Sequence, residues 1–578
     1  MIILIWRVSI MTDISLQPKA PKDPIKKGAS FFIMRGKDIF AQQWPGGKGM
    51  QPIYESDGRL ESSARLVGNI EDEEILKLLG STEGFKKLVR QIGVSIEAED
   101  LNEYVDFCFQ MYGHTDPYVS GTTIRKTVKG DGSEILINLD EVEWSDDDNI
   151  PGQIRFEFSR PGIAAKASVR FYLNDGFTAP EPAEEEVVDF SSEAYKAIIK
   201  QSLMIKGNTY RVKRAIEKAR AGKDTCVAFI GGSITQGAGA IPINANCYAR
   251  KAYEGFCDIA GVEYDTNVKY VKAGLGGTPS ELGLTRYEMD VLDYGNNVPD
   301  LVVVEFAVND AGDETEGRCY DSLVRKIYNG PGNPAVVLLF AVFQDDYNLQ
   351  ERLLPVGKAY DLPTVSVKEC VTPQFYLKAG EGRVVSKLAF FYDCYHPTNT
   401  GHRIMADCLI NMFNEADRLS GGEDTDIKKI AAPIGDQFED VVFFDRKVNT
   451  VGAVIDCADF TKDSDEIHYA ERKMDLFGSK EFPNNWMHDG GSDKPFAVDV
   501  CCKALMIVYM DTASPSFTSA KVYADGEEKI TIDPHIVGWT HANALIVFEE
   551  EKTSNHHVEV RLDDHSKKFT ILGFAVVK

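Results

Sequence analysis

The chain has 578 residues, too many for one hydrophobic core, and at roughly 150 residues per domain it divides into about three or four units. Its 43% hydrophobic, 10% aromatic and 26% charged residues are an ordinary globular composition and exclude wholesale disorder. A balance of 63 Lys plus Arg against 89 Asp plus Glu gives a formal charge of −26, a field that repels polyphosphates and anionic lipid and argues against nucleic acid or a membrane as partner.

The opening MIILIWRVSI is apolar but short and broken by Arg7, and no small-residue cleavage site follows it. It makes a poor signal peptide, and Met11 is an alternative start. No apolar run reaches the ~18 residues that span a bilayer. The 11 cysteines are odd in number and lack zinc spacing; Cys226, Cys408, Cys501 and Cys502 lie in apolar runs and read as small core residues, which fits a reducing cytoplasm.

Residues 1–29 read as a loose tail. From 30 to 186 an accessory domain leans towards strands (EILINL, QIRFEF, ASVRFYL), with one or two helices expected over 70–110. It closes on the acidic, Pro-containing APEPAEEE (179–186), of linker composition. Between 187 and 420, CVAFI, VKYV, LVVVEF, AVVLLF and PTVSV alternate with helical patterns, and nearly continuous apolar runs are strands buried on both faces. This predicts an α/β unit with a parallel sheet between helices. After a linker over 421–440, residues 441–578 return to strand-like runs, with Asp525-Gly526 a two-residue hairpin signal. A β-sandwich of jelly-roll type is expected there.

Ligands of a parallel sheet bind beyond the carboxyl ends of its strands, so the residues after each apolar run carry the chemistry. CVAFI is followed by Gly231-Gly232-Ser233-Ile234-Thr235-Gln236-Gly237, a tight turn that leaves a serine hydroxyl at the sheet edge; a phosphate-cradling turn or a helix N-cap is the plainer alternative. VKYV leads into Lys272-Ala273-Gly274-Leu275-Gly276-Gly277-Thr278, where backbone N–H groups can approach a ligand, or a simple turn forms. LVVVEF leads into Ala307-Val308-Asn309-Asp310, either an amide donor at the third strand end or a turn. Near the end of the unit, Asp393-Cys394-Tyr395-His396-Pro397 lets a carboxylate reach back to an imidazole, and His402 at a helix start reads as structural.

A serine, two separate N–H donors and an Asp–His pair are the parts of an acyl-transfer site. In this order, GGSITQG, GLGGT, AVND and DCYHP resemble the SGNH/GDSL hydrolases, over about 230 residues. The resemblance implies a flavodoxin-like hydrolase domain with Ser233 as nucleophile, His396 as general base and Asp393 orienting it. It also implies an oxyanion hole made by the N–H groups of Ser233 and Gly277, with Gly276 the alternative, and the Asn309 side chain. Two positions depart from the family pattern. Ala307 stands for a glycine, expected to narrow the pocket, and Lys272 stands where Asn is commoner.

The segment before the nucleophile resembles the multidomain bacterial branch that includes carbohydrate acetyl esterases, in which a β-sandwich similar to a carbohydrate-binding module follows. That implies removal of O-acetyl groups from plant-polysaccharide oligosaccharides, with no metal or organic cofactor. A lipase or thioesterase of the same fold, and a non-catalytic carbohydrate-binding protein, are the competing readings; homo-oligomerisation is left open. Gly538-Trp539-Thr540-His541 lies between strand-like runs. It is expected to be a loop that brings Trp539 and His541 to the substrate, the alternative being a Trp buried in the sandwich core.

Overall fold

The structure, a computed structural model, describes residues 28–43, 47–183, 187–419, 422–464, 466, 469–471 and 478–578. The expected tail up to residue 27, both candidate starts and residues 184–186 of the acidic stretch lie outside them.

In the N-terminal unit two antiparallel sheets face each other. One has the order Ser30–Phe40, Ala164–Leu173, Val89–Ala98, Ile135–Asn138; the other runs Gln42–Gln43, Gly49–Tyr54, Asp148–Phe158, Tyr104–Gly113, Thr123–Lys129. Helices Arg59–Leu66, Glu73–Leu79 and Thr82–Leu88 pack on a shared core in which Phe85 meets Phe109 and Phe171 edge-on. The helical expectation for 70–110 fails beyond Leu88. Val89, Ile92, Val94 and Ile96 are buried on a strand, and Tyr104–Gly113 is a second one. Their β-branched and aromatic content outweighs the scattered helix formers.

The central unit holds five parallel strands: β1 (Thr225–Gly231), β2 (Val268–Gly274), β3 (Leu301–Glu305), β4 (Ala335–Phe340) and β5 (Thr364–Ser366). Their spatial order is β5-β4-β3-β1-β2, the flavodoxin-like arrangement, and a short antiparallel strand, Leu203–Ile205, edges β5. Alternate residues divide the sheet's two faces. Val227, Phe229, Leu301, Val303, Val337 and Leu339 meet the helices Tyr248–Ala260 and Asn399–Arg418. Ala228, Ile230, Val302, Val304 and Leu338 belong to a second core that also takes in residues of the C-terminal unit.

That second core is built by a change of pattern within one strand. Along Phe496–Asp511 burial first alternates, with Phe496, Val498, Val500 and Cys502 inward, and then becomes continuous from Ala504. A register shift between Cys502 and Ala504 switches parity. Leu505, Ile507 and Tyr509 then face the β-unit's own core, while Ala504, Met506, Val508 and Met510 join the core of the central unit. Hydrogen bonding links eight C-terminal strands into one antiparallel network, in which Phe496–Asp511 pairs from end to end with the 22-residue His541–Leu562. The runs ALIVFEE and HHVEVRL are thus one strand, and Asp525-Gly526 makes the expected hairpin turn with φ of 52° and 85°. The segment expected as a linker is packed: Ile427 and Phe438 are fully buried in the shared core. Cys501 faces outward and is exposed, against the core role expected of it, because its neighbour Cys502 takes the inward position.

Candidate active site

The site lies at the carboxyl edge of the parallel sheet, between β1 and β3, where the strand order reverses. After Gly231 the chain turns through Gly232 and enters a one-turn helix, Ser233–Gln236. Two buried side chains brace this turn. Arg286, fully buried and paired with Asp290 at 2.9 Å, donates to the carbonyls of Gly231 (2.8 Å) and Ala273 (2.7 Å). Glu305, at the end of β3, accepts from the Thr235 hydroxyl at 3.0 Å, and burial pushes its carboxyl up to about 7. Sequence reading missed both, since a lone Arg and a lone Glu carry no local signature.

Ser233 does not cap its helix. Its Oγ lies 3.0 Å from His396 Nε2, and His396 Nδ1 lies 2.9 Å from Asp393 Oδ2 and 3.1 Å from Oδ1. The turn after Phe391 makes this possible. Asp393 Oδ1 accepts the backbone N–H of Tyr395 (2.8 Å) and of His396 (2.7 Å), which folds the three-residue spacing back on itself. Burial alone would raise the Asp393 carboxyl, but the charge and hydrogen bond of His396, the Arg59 guanidinium and the backbone N–H hold it below the usual carboxylate range. His402 is fully buried: its Nδ1 accepts the Tyr248 N–H at 3.2 Å, its Nε2 lies 3.0 Å from the Ala238 carbonyl, and burial lowers its pKa to about 3.

The remaining predicted residues converge on the same edge. Asn309 packs on the nucleophile turn so closely that a Cβ on Gly232 would fall 2.1 Å from its Oδ1 and 3.3 Å from its Nδ2. Asp310 beside it accepts the Ser280 N–H at 2.8 Å, tying the third strand end to the Gly276-Gly277 loop. Gly277 is exposed with φ of 69°, a conformation that favours glycine, whereas Gly276 is buried. A Cβ at Gly277 would lie 2.9 Å from His541 Nε2 and 3.1 Å from Trp539 Cζ2.

Trp539 and His541 therefore stand against the proposed oxyanion glycine, and the half-buried Trp539 is not a sandwich-core residue. Their rings are 4.6 Å apart and edge-on. The fully buried Asp511 holds the loop by accepting N–H groups from Ile536 (2.9 Å), Val537 (3.1 Å) and Gly538 (3.1 Å). From the N-terminal unit, the Tyr118 hydroxyl donates to the Gly538 carbonyl at 3.3 Å. Of the two departures, Lys272 is buried and donates to the Gln236 carbonyl (2.7 Å) and Asn244 Oδ1 (2.5 Å), bracing the nucleophile turn from below. Ala307 is fully buried in the core shared with the C-terminal unit.

Residues 229–404 match the model of the GDSL-like Lipase/Acylhydrolase family. The central unit is a GDSL-like acylhydrolase domain. Two solved structures of a two-domain esterase, described as active on acetylated mannans and in one case co-crystallised with mannopentaose, are similar to this chain at 24% identity. Their TM-scores are 0.54 and, with mannopentaose, 0.52; they cover 66% of this chain and 99% and 98% of their own. That likeness is one of fold. No curated protein matches the chain. Among the described residues, the acylhydrolase domain brings one group of metal-ligand types together, Glu281, Asp313 and Cys319, with ligand atoms within 4.8 Å of one another. Their separation in sequence hid the group. Both Asp313 oxygens already accept bonds from Thr315 and Gly317, and no part of the acyl-transfer geometry involves them.

Among the described residues, no helix is long and apolar enough to cross a membrane.

Proposed function

We propose that the protein is a serine esterase that removes O-acetyl groups from plant-polysaccharide-derived oligosaccharides through an acetyl-enzyme. The observation that carries this reading is the continuous Ser233–His396–Asp393 chain, at 3.0 and 2.9 Å, in a GDSL-like domain at the strand-order switch.

Ser233 Oγ attacks the acetyl carbonyl carbon as its proton passes to His396 Nε2, and Asp393 stabilises the imidazolium. The N–H groups of Ser233 and Gly277 and the Asn309 amide receive the oxyanion. Collapse of the tetrahedral intermediate expels the sugar oxygen, which takes the proton from His396. Water, deprotonated by the same imidazole, then attacks the acetyl-enzyme and releases acetate and free Ser233.

Two features favour a short acyl group on a sugar. Trp539 and His541 crowd Gly277, which leaves little room beside the acyl carbon for a long chain. The half-exposed Trp539 face suits stacking on a pyranose ring, and the solved two-domain esterase of similar fold is described with mannan substrates. A reducing compartment belongs to the same reading, since all eleven cysteines are free and Cys501 is exposed.

The test is acetate release from acetylated xylo-, manno- and gluco-oligosaccharides, with products located by NMR and Ser233→Ala as control. Loss of several orders of magnitude in the variant is expected. More than a few per cent residual activity, or faster turnover of 4-nitrophenyl octanoate than of the acetate, refutes the proposal.

A further inference from the structure

The N-terminal unit reaches the triad through a side chain that the mechanism above does not use. Arg59 is the first residue of the helix Arg59–Leu66, entered through Gly58 with φ of 78°. Its Nε lies 3.5 Å from Asp393 Oδ2, and the two side chains are only 18% and 10% exposed. The guanidinium is gripped on its other sides. Nη1 donates to Asp57 Oδ2 (3.3 Å) and the Ser56 carbonyl (3.4 Å), and the group lies 4.8 Å over the Tyr395 ring, whose hydroxyl donates to the Asp57 carbonyl at 3.2 Å. An arginine held this way has little rotamer freedom left to lose and acts as a fixed fork.

The two oxygens of Asp393 are not equally constrained. Oδ1 takes two backbone N–H groups from its own turn. Oδ2, the atom closer to His396 Nδ1, also has the Arg59 guanidinium beside it. Charge balance points the same way. Glu55 is 2% exposed with no hydrogen bond on either carboxyl oxygen, and burial pushes its carboxyl up to about 8. Lys37 donates to the Tyr392 carbonyl at 3.2 Å and interacts with Glu55 and Asp393. Glu55 is thus mostly protonated near neutral pH, so Asp393 is the carboxylate that Arg59 faces, and removing Arg59 takes away the guanidinium beside that buried charge.

We propose that Arg59 is a positioning residue for the esterase reaction: supplied by the N-terminal unit, it fixes Asp393 Oδ2 against His396 and compensates the charge of that carboxylate. This rests on the reading of Ser233, His396 and Asp393 as the triad. It gives the accessory unit a part in catalysis itself, not only in holding substrate.

The test is a double-mutant cycle on 4-nitrophenyl acetate, a substrate too small to report on an extended binding surface. Arg59→Ala is expected to lower kcat roughly tenfold with KM within about twofold, and Arg59→Lys to recover part of the loss. In an Asp393→Asn background the same Arg59→Ala change should cost less than about twofold, because its target is gone. The inference is overturned by kcat within twofold of wild type, by a loss confined to KM, or by an equal loss in the Asp393→Asn background. Circular dichroism and thermal melting check folding, and if the alanine variant does not fold, Arg59→Lys and Arg59→Gln carry the cycle. Ser233→Ala separates the two readings: a dead Ser233→Ala beside an unaffected Arg59→Ala removes only this inference, while an active Ser233→Ala removes the triad.

Discussion

Gly232→Ala should disable the site through Asn309 without removing a catalytic atom. Gly232 has φ of −86°, outside the left-handed region that favours glycine. The added methyl, however, would sit 2.1 Å from Asn309 Oδ1 and 2.8 Å from its Cγ, where ordinary contact begins at 3.4 Å. The amide must retreat by more than about 1 Å, a displacement that costs on the order of 10² in rate when it falls on a positioned group. Outright loss of one oxyanion donor costs about 10²–10³ in kcat, or about 2.7–4 kcal/mol. Gly232→Ala should therefore lose about 10²–10³ in kcat on 4-nitrophenyl acetate, with KM moving far less. Asn309→Ala alone should lose the same. The decisive variant carries both changes: the truncated Asn309 leaves room for the methyl, so the double mutant should be no worse than Asn309→Ala. A Gly232→Ala enzyme within fivefold of wild type, or a double mutant that multiplies the two losses, would refute the placement of Asn309.

Trp539→Ala should weaken turnover of acetylated oligosaccharides far more than that of a small aryl acetate, since only a sugar chain can stack on the ring; equal losses on both substrates would return Trp539 to a purely structural part. Glu305 is held neutral by burial to about pH 7 in the folded protein, against 4.5 for a glutamate in water, so the stability it contributes is complete below about pH 4.5 and is lost as pH rises through 7. Between pH 5 and 8 the melting temperature of Glu305→Gln should accordingly rise relative to wild type, reflecting about 3 kcal/mol of linkage, and a constant difference would show that Glu305 keeps its ordinary acidity.

What could be read from the sequence follows from where the information sits. The five parallel strands are buried on both faces, so each is an apolar run that no other local structure explains. The residues that carry the chemistry follow those runs directly, which made Ser233, Asn309, Asp393 and His396 legible as a set. Arg59 was not legible, because an arginine at a helix start reads as a solvated charge until the turn holding Asp393 is folded against it. The same holds for Arg286 and Glu305, whose partners lie on neighbouring strands. The strand at Val89–Ala98 was misread because Gly93 and the charged residues that follow blur its alternation. The two-faced burial of Phe496–Asp511 is visible in hindsight as an alternating half followed by ALMIVYM.

That strand, together with Lys568–Val577, sets the order in which the protein can become active. Leu572, Ala575 and Val577 lie in the core that also covers Ile230, Val304 and Leu338 of the parallel sheet. During synthesis the triad residues emerge from the ribosome long before these three, and the helix Ser280–Asp290, which lies between the parallel sheet and the strands Val442–Phe444 and His541–Leu562, keeps an apolar side bare until residue 577 is free to fold. The Trp539 loop cannot settle against Gly277 before then either. Activity should switch on late in translation and in a single step, and a nascent chain stopped at residue 440 should bind a chaperone in preference to hydrolysing an ester.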